Sequence, residues 1–191
     1  MYLFFDVDAI GLPKKWSRPV SDTFNWPRMV QIAWQTYDEQ QTLIESHRYI
    51  IKPEGYDIPY ESERIHKIST EKAQTEGIAL KEVLEKFSLA IRAAQYVAAH
   101  NMNFDEKVVG AEFIRKNISH QLFSSERYCT MQEGTWFCKI PSKQGRYKWP
   151  SLTELHFKLF GTRLENTSDP SLAVAACAAC FFKLVELEDI L

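Results

Sequence analysis

The sequence lacks a long uninterrupted hydrophobic run. Its longest apolar stretch, residues 173–184, is broken by Lys183 and is too short to cross a bilayer. The N-terminus also lacks a basic segment followed by an apolar stretch and a cleavage site, which is the pattern of a secretory signal. We therefore expect a soluble, cytoplasmic protein with no membrane partner.

An excess of positive charge is also missing. The formal net charge is −2 over 191 residues, so any nucleic-acid binding would depend on a local basic patch rather than on an overall field. Because 45% of the residues are hydrophobic, the chain is long enough for one well-packed core and too short for two ordinary ones. We expect a single domain over residues 1–191.

Cysteine is scarce, and its pattern indicates neither a disulfide framework nor a metal knuckle. Two of the four cysteines, Cys177 and Cys180, form a C-x-x-C pair inside the Ala-rich stretch "SLAVAACAACFFKLVELEDIL". This stretch is helical in pattern and lacks the Gly or Pro turn of a redox or zinc motif. The pair is therefore interpreted as small core residues of a protein from a reducing compartment.

Hydrophobic periodicity alternates between short strands and longer helices. Apolar runs predict four strands, at residues 3–8 and in "MVQIAWQTY", "TLIESHRYIIK" and "QYVAAH". The second and third of these are predicted to form an antiparallel pair. Between the third and fourth strands, a helical region begins at Ser69, and a stripe of apolar residues over 80–94 predicts an amphipathic helix. This order predicts an α/β fold with a mixed sheet of about five strands flanked by helices.

Local signals predict where two further helices begin or end. Asn103 followed by Glu106 fits a capping box at the start of "NFDEKVVGAEFIRK". Gly161 is predicted to end the helix in "SLTELHFKLFG". Residues 14–27 and 130–150 are predicted to be irregular, and both are aromatic and basic in places.

Carboxylates follow two of the predicted strands. Asp6 and Asp8 are two residues apart on one strand, so they share a face and their charges repel. Asp105 lies in the first turn of a helix after the fourth strand, near the strand ends where α/β sheets build their sites. The three could converge on one site. A solvated strand end and a surface residue favoured by the helix dipole are the alternatives.

Several ordered motifs resemble those of DnaQ-like (DEDDh) 3′–5′ exonucleases of the polymerase III epsilon type. "FFDVDAIGLP" resembles the first motif, F-D-x-E-T-T-G-L, and "VAAHNMNFDEKVV" resembles the second, H-N-x-x-F-D. "IIKPEGYDIPYESERIHKIS" is similar to the stretch that runs I-K-P, I-P and I-H-G-I, and "YKWPSLTELHFKLFG" to the segment before the third motif. The resemblance covers nearly the whole chain and implies a ribonuclease H-like fold.

The resemblance implies two-metal phosphodiester hydrolysis, in which Mg²⁺ or Mn²⁺ is held by carboxylates. By position it implies that Asp6, Asp8 and Asp105 are catalytic metal ligands, although Asp8 stands where the family has Glu. It also implies substrate-binding residues, which are Gly11, Leu12, His66, Asn101 and Phe104. The implied partner is a single-stranded 3′ end of nucleic acid, with a polymerase or another protein as a further partner. A lone His such as His66 is also commonly a packing or capping residue.

The third motif departs from the family. Where the family has H-x-A-L-x-D-A, the chain has "SDPSLAVAA". Alignment on the downstream "ACAACFF" places Ser168 at the family's His and Ala173 at its last Asp. Alignment on Leu172 instead places Asp169 and Val174 at those two positions. In either case the last metal ligand and the general base are missing. We therefore expect weak binding of at most one metal ion and impaired or lost hydrolysis.

Two readings of Asp169 and of the preceding basic segment stay open. Asp169 is a doubtful catalytic substitute for either missing group, because Asp followed by Pro170 also fits a helix N-cap. "FCKIPSKQGRYKWP" mixes basic residues with Tyr147 and Trp149, which suits phosphate contacts and base stacking, but also a solvated loop with its aromatics in the core. The hypotheses are a degenerate exonuclease fold that binds without cutting and an active exonuclease with an altered third motif.

Overall fold

The structure, a computed structural model, describes residues 1–143, 145–165 and 169–187. These residues contain five strands, seven α-helices and one short 3₁₀ helix. The strands are β1 (Tyr2–Ala9), β2 (Met29–Tyr37), β3 (Leu43–Ile50), β4 (Tyr96–Ala99) and β5 (Glu126–Cys129). The helices are α1 (Tyr60–His66), α2 (Thr70–Glu76), α3 (Leu80–Ala93), α4 (Met102–Lys116), α5 (Thr130–Cys138), α6 (Leu152–Phe160) and α7 (Pro170–Glu186), with the 3₁₀ helix at Leu122–Ser124.

The strands form one mixed sheet in the order β3-β2-β1-β4-β5. β1 and β2 pair antiparallel, as do β2 and β3, whereas β1 pairs parallel with β4 and β4 with β5. The predicted fold class, a mixed sheet of about five strands flanked by helices, is confirmed. Because β1, β4 and β5 run the same way, their carboxyl ends meet at one edge of the sheet.

Two hydrophobic layers cover the two faces of the sheet. Along β1, Leu3, Phe5 and Val7 pack into the core that contains residues of α3 and α4. Phe4 points the other way and packs into the core formed with α7. Since successive strand residues alternate between faces, Asp6 and Asp8 continue the row of Phe4 on the α7 side.

Helix α7 begins and packs as the sequence predicted. Asp169 is its N-cap and accepts a 2.9 Å hydrogen bond from Ser171 N, and Pro170 occupies the first turn. Cys177 and Cys180 are free and buried in the core under this helix. Over the described ranges, no helix has the length and hydropathy needed to span a membrane.

Helix α5 corrects the prediction that residues 130–150 are irregular throughout. Its sequence has weak helix propensity, with Gly134 at its centre. The helix is held by packing instead, because a Cβ on Gly134 would lie only 2.7 Å from Leu155 Cδ1 on α6. Tertiary contact therefore overrides local propensity here.

The predicted capping box at Asn103 is wrong, whereas the predicted end of α6 is confirmed. Helix α4 begins at Met102, and its N-cap is Asn101, in a left-handed conformation with φ 81° and without a side-chain cap. The chain turns sharply after β4, so the helix starts earlier than the capping signal suggests. Glu106 instead forms a 2.5 Å ion pair with Arg127. Gly161 caps α6 in the left-handed region, at φ 71°.

The loop of residues 14–27 has no helix or strand, as predicted, but it is extensively hydrogen-bonded. Asn25 and Lys15 exchange two bonds, with Lys15 N donating to Asn25 Oδ1 at 2.8 Å and Asn25 Nδ2 donating to Lys15 O at 2.9 Å. Trp26 Nε1 donates to Pro19 O at 3.0 Å. Arg115 on α4 donates to the carbonyls of Thr23 and Trp26. The loop is therefore tied both to itself and to α4.

Candidate functional site

Three carboxylates interact at the carboxyl ends of β1 and β4. Asp6 and Asp8 lie on the α7 side of β1, and Asp105 is buried in the first turn of α4. Burial, followed by the charge of Asp8, raises the pKa of Asp6 to about 8. Burial, followed by the charge of Asp6, raises the pKa of Asp105 well above its usual range, and Asp8 adds to this effect. The structure thus brings these three predicted residues together.

The donor atoms of this cluster suit a hard divalent cation. Asp105 Oδ2 is buried and has no hydrogen-bond partner among the described residues, and carboxylate oxygens are the ligands that Mg²⁺ and Mn²⁺ prefer. However, within residues 1–143, 145–165 and 169–187, no three His, Cys, Asp or Glu side chains are already arranged to hold a metal ion. The charges converge, but the oxygens are not preset, as expected for repelling carboxylates.

A chain of polar contacts runs from this cluster across the sheet to α7. Gln31 Nε2 on β2 donates to Asp8 Oδ2 at 2.5 Å. Arg48 Nε on β3 donates to Gln31 Oε1 at 3.2 Å, and its Nη1 donates to Asp169 Oδ1 at 3.4 Å. Asp169 is therefore linked to Asp8 through two side chains that were not among the predicted site residues. For Gln31 the available signal was a polar residue within a strand predicted to be buried.

One face of α7 lies opposite the same region of the sheet. Asp169, Ala173 and Cys177 are four residues apart and therefore share a helix face. Asp169 reaches Arg48, and Cys177 lies near Asp6, whose charge adds to the burial that raises the pKa of the Cys177 thiol. Ala173 stands between these two contacts. Val174 is fully buried in the core, and Ser168 lies outside the described residues.

His66, predicted to bind substrate, ends α1 close to Asp8. Its side chain is buried, and its Nδ1 accepts a hydrogen bond from Ile68 N at 3.2 Å. Burial lowers the pKa of His66, while the charge of Asp8 opposes that shift. Nε2 is buried without a hydrogen-bond partner in the described part of the chain. His66 is thus a packing residue and also a neighbour of the carboxylate cluster.

Gly11 and Leu12 line a cavity of about 530 Å³ beside the first motif. Leu12 is 73% exposed, and Phe24 across the cavity is 89% exposed. Lys14 also lines the cavity, together with the arginine that directly precedes β2 and one arginine of α4. The two predicted residues therefore border a cavity with an exposed apolar rim, in which both arginines are paired with the buried carboxylate of Glu112.

Asn101 and Phe104 lie beside a second cavity, which two tryptophans line. Trp16 and Trp149 line this space of about 420 Å³ together with Asn101. Phe104 contacts the ring of Trp16, with centroids 5.9 Å apart. Because Trp149 is 62% exposed, the interpretation that it is tucked into the core is wrong. The sequence motifs did not identify Trp16.

The end of β4 is fixed by His100. His100 Nδ1 lies 2.9 Å from Thr130 Oγ1, and Nε2 lies 3.1 Å from Pro150 O. Burial lowers the pKa of His100 to about 4, although the bond to Pro150 opposes the shift. The neutral ring therefore joins β4 to α5 and to the segment that carries Trp149.

We expect protonation of His100 to destabilise the fold in acid. A histidine with a lowered folded-state pKa stabilises the protein above its unfolded pKa of about 6.5, and that contribution is lost as the pH falls toward 4. Between pH 7 and pH 4.5, the free energy of unfolding should fall by about 2 kcal/mol more in the wild type than in His100→Gln. This is less than the energy that corresponds to the whole pKa shift, because the ring is partly exposed. Urea unfolding of both proteins at the two pH values measures this difference. Equal losses would show that His100 does not titrate as described.

The same fold occurs in E. coli exonuclease I. Its complex with a dT13 oligonucleotide has a TM-score of 0.75 and 19% identity, over 97% of this chain and 40% of that chain. The chain has the ribonuclease H-like fold of exonuclease I. The zinc-bound form of the exonuclease I–ssDNA complex from E. coli (TM-score 0.74, 19% identity, 97% and 40% covered) and the exonuclease I/SSB-Ct complex (0.74, 15%, 97% and 41%) have the same fold.

The chain spans about two fifths of the length of exonuclease I. No family model matches the sequence, and neither does any curated protein. The likeness to exonuclease I therefore establishes the fold. The closer resemblance to epsilon-type subunits, the single domain over 1–191 and a polymerase partner stay predictions.

Proposed function

We propose that this protein binds single-stranded nucleic-acid ends and that its two-metal hydrolysis is impaired or lost. The observation that supports the second part is on α7, where Ala173 shares a helix face with Asp169 and with Cys177, the neighbour of Asp6, and offers only a methyl group. Hydrolysis in the resembled family needs a metal-binding carboxylate and a base from this segment, and general-base loss alone costs about 10²- to 10⁴-fold. The three carboxylates of the cluster supply neither group.

Exposed aromatic rings between residues 136 and 149 support the binding of a single-stranded nucleic acid. Trp149 borders the cavity beside Asn101, while Trp136 is 73% exposed and meets the ring of Tyr147 edge-on at 5.5 Å. Arg146 lines the cavity at that pair. Stacking on such rings is tolerant of sequence and contributes about 1–3 kcal/mol per base. Exonuclease I, whose fold this chain shares, is described with dT13 and ssDNA.

Asp6, Asp8 and Asp105 are the residues that would hold a divalent ion. When bound, such an ion would act as a Lewis acid and lower the pKa of a coordinated water. The carboxylates themselves would position the cation, and Gln31 orients Asp8 through its 2.5 Å bond. The ion would also relieve the repulsion among the three side chains.

We expect the free protein to bind Mg²⁺ or Mn²⁺ weakly and at a single site. Three carboxylates, two of them with raised pKa values, supply too little charge and too few ligands for two ions. Isothermal titration calorimetry at neutral pH should give one weak transition that Asp105→Asn removes. Asp57→Asn, which changes an exposed carboxylate, should leave it intact. Two tight Mg²⁺ sites would contradict this expectation.

An active exonuclease with an altered third motif is the second candidate. It is favoured by Asp169, whose carboxylate lies at the start of α7 and connects through Arg48 and Gln31 to Asp8. In this candidate Asp169 partly replaces the missing group. The N-cap bond from Ser171 N and the pairing with Arg48 both engage Oδ1 of Asp169 and give this carboxylate a structural role at the start of α7, so we prefer the first candidate.

Binding and cleavage of the same oligonucleotide test the proposal. Fluorescence anisotropy with a 5′-labelled dT oligonucleotide should show binding in EDTA, while gels with Mg²⁺ or Mn²⁺ show little or no shortening. Trp149→Ala should weaken binding about 5- to 150-fold if one base stacks on that ring. Leu89→Ala, an exposed change on α3, should have no effect. Absence of binding would refute the proposal, and rapid EDTA-sensitive shortening that Asp6→Ala abolishes would establish the second candidate.

A further inference from the structure

We infer that Arg48 binds a phosphodiester group of single-stranded nucleic acid beside the carboxylates Asp6, Asp8 and Asp105, so that binding of the nucleic-acid end does not require a divalent cation. The inference rests on the proposed function and adds the group that makes the site attractive to a phosphate. It follows from three observations on Arg48: its place in the sheet, its restraint by neighbours, and its exposure.

Arg48 lies in the same cross-strand row as Asp6. Asp6 on β1 pairs with Ala33 on β2, and Ala33 pairs with Arg48 on β3. Paired residues on neighbouring strands share a face and lie about 5 Å apart. Only the methyl group of Ala33 stands between Asp6 and Arg48 in this row, so the long arginine side chain extends over the same face.

The guanidinium is held in place without being fully used. Its Nε donates to Gln31 Oε1 and its Nη1 to Asp169 Oδ1, at 3.2 and 3.4 Å. Within the described residues, these bonds engage two of the five N–H donors of an arginine. The side chain is 39% exposed, and that of Asp169 is 40% exposed. Arg48 is therefore oriented by its neighbours while donors stay accessible to a ligand from solvent.

A cation at this position offsets the repulsion between the carboxylates of the site and a phosphate group. A phosphodiester approaching Asp6, Asp8 and Asp105 is repelled by every ionised carboxylate. Metal ions remove that repulsion in two-metal enzymes. Arg48 is a permanent charge, and its planar fork matches phosphate oxygens in a bidentate manner. The bond to Asp169 is a partly exposed pair of the kind that contributes little, so a phosphate can replace it.

The alternative is that Arg48 only ties the start of α7 to β3. The salt dependence of nucleic-acid binding distinguishes the two roles, because a purely structural contact does not change it. A phosphate contact contributes about 0.7 to the slope of log K against log salt for a single strand. A structural tie would change stability and leave that slope unaltered.

Anisotropy titrations in EDTA with a 5′-labelled dT oligonucleotide, at several salt concentrations, separate these roles. Arg48→Gln should weaken binding about tenfold or more and reduce the slope by about 0.7. Arg48→Lys keeps the charge but loses the fork, so it should keep the slope and weaken binding less. The matched control is Arg64→Gln on α1, whose arginine is exposed and pairs with Glu61. It should behave as wild type.

Asp169→Asn provides a test of opposite sign that keeps Arg48. Asn is as good an N-cap as Asp, so α7 is retained while the guanidinium loses its carboxylate partner. Binding in EDTA should become tighter. Thermal unfolding of each variant checks that it is folded, and if Arg48→Gln is unfolded, the Asp169→Asn and Arg48→Lys results decide.

Three outcomes would overturn the inference. Unchanged affinity and slope in Arg48→Gln, or unchanged affinity in Asp169→Asn, would refute a phosphate contact while the proposed function stands. Wild-type binding that appears only with Mn²⁺ would refute cation-independent binding. A wild type that binds no strand under any condition would refute the proposed function together with the inference.

Discussion

Restoring both missing groups of the third motif, as Ser168→His with Ala173→Asp, is expected to raise the rate of single-stranded DNA digestion about a thousandfold. The unmodified chain should cleave at least about a thousandfold more slowly than an intact relative, near the upper part of the general-base range. Residues that act as a unit are strongly non-additive, so each single change should do little. Gel assays of the two single variants and the double variant with Mn²⁺ measure the effect.

The structure indicates why position 173 is the one to change. Ala173 stands on the helix face between Asp169, which pairs with Arg48, and Cys177, which lies near Asp6. A carboxylate there would point toward the existing cluster. Val174 is fully buried in the core, so Val174→Asp would bury an unpaired charge and destabilise the protein.

Leu172→Asp combined with Ser168→His is the matched control, because Leu172 is an exposed residue of α7, and it should give no gain in rate. Adding Asp6→Ala to the restored variant should remove the gained activity, because the new groups depend on the cluster. If the unmodified protein already digests DNA as fast as the restored variant, the third motif is not the limiting defect.

Replacement of Glu112 by alanine is expected to reduce the free energy of unfolding by about 3–5 kcal/mol. Glu112 is fully buried on α4, and its Oε1 accepts hydrogen bonds from Arg28 Nε at 2.9 Å and Met29 N at 3.0 Å. Arg115 Nη1 lies 3.1 Å from the same oxygen. Removing the carboxylate leaves two arginines without their shared counter-ion in a poorly solvated place.

Urea unfolding monitored by circular dichroism measures this loss. Glu112→Gln should cost less than Glu112→Ala, because the amide oxygen can still accept from Met29 N. Glu85→Ala is the control, since Glu85 is exposed and pairs with Lys81 across a 3.8 Å surface bridge of a kind that contributes about 0–1 kcal/mol. A loss below about 1 kcal/mol in Glu112→Ala would show that the cluster is not a structural anchor.

The sequence locates four of the five described strands, because alternation and apolar runs report burial directly, but it does not locate β5. β1, β2 and β4 appear where the pattern set them, and the stripe over residues 80–94 becomes α3. α5 was missed because its Gly-containing sequence is helical only by virtue of packing on Leu155. The start of α4 was misplaced because the turn after β4, and not a side-chain cap, sets Asn101 as the N-cap.

The candidate site was predictable only in part, for a related reason. Asp6, Asp8 and Asp105 follow strands whose ends meet, so their proximity is a consequence of sheet topology. Gln31 and Arg48 enter the site through cross-strand register between β1, β2 and β3. Register depends on which strands are neighbours, and local periodicity does not contain that information.

The hydrogen-bonded loop of residues 14–27 is already ordered when a single-stranded nucleic acid binds. Its internal bonds and the two carbonyl contacts from Arg115 fix the backbone beside Trp16 and Phe24 before any ligand arrives. The conformational entropy of ordering this segment is therefore lost during folding rather than during binding. Binding of the nucleic acid then needs little rearrangement of the loop, so the association rate should approach that of rigid-body docking. Differences in affinity among loop variants should appear mainly as differences in dissociation rate.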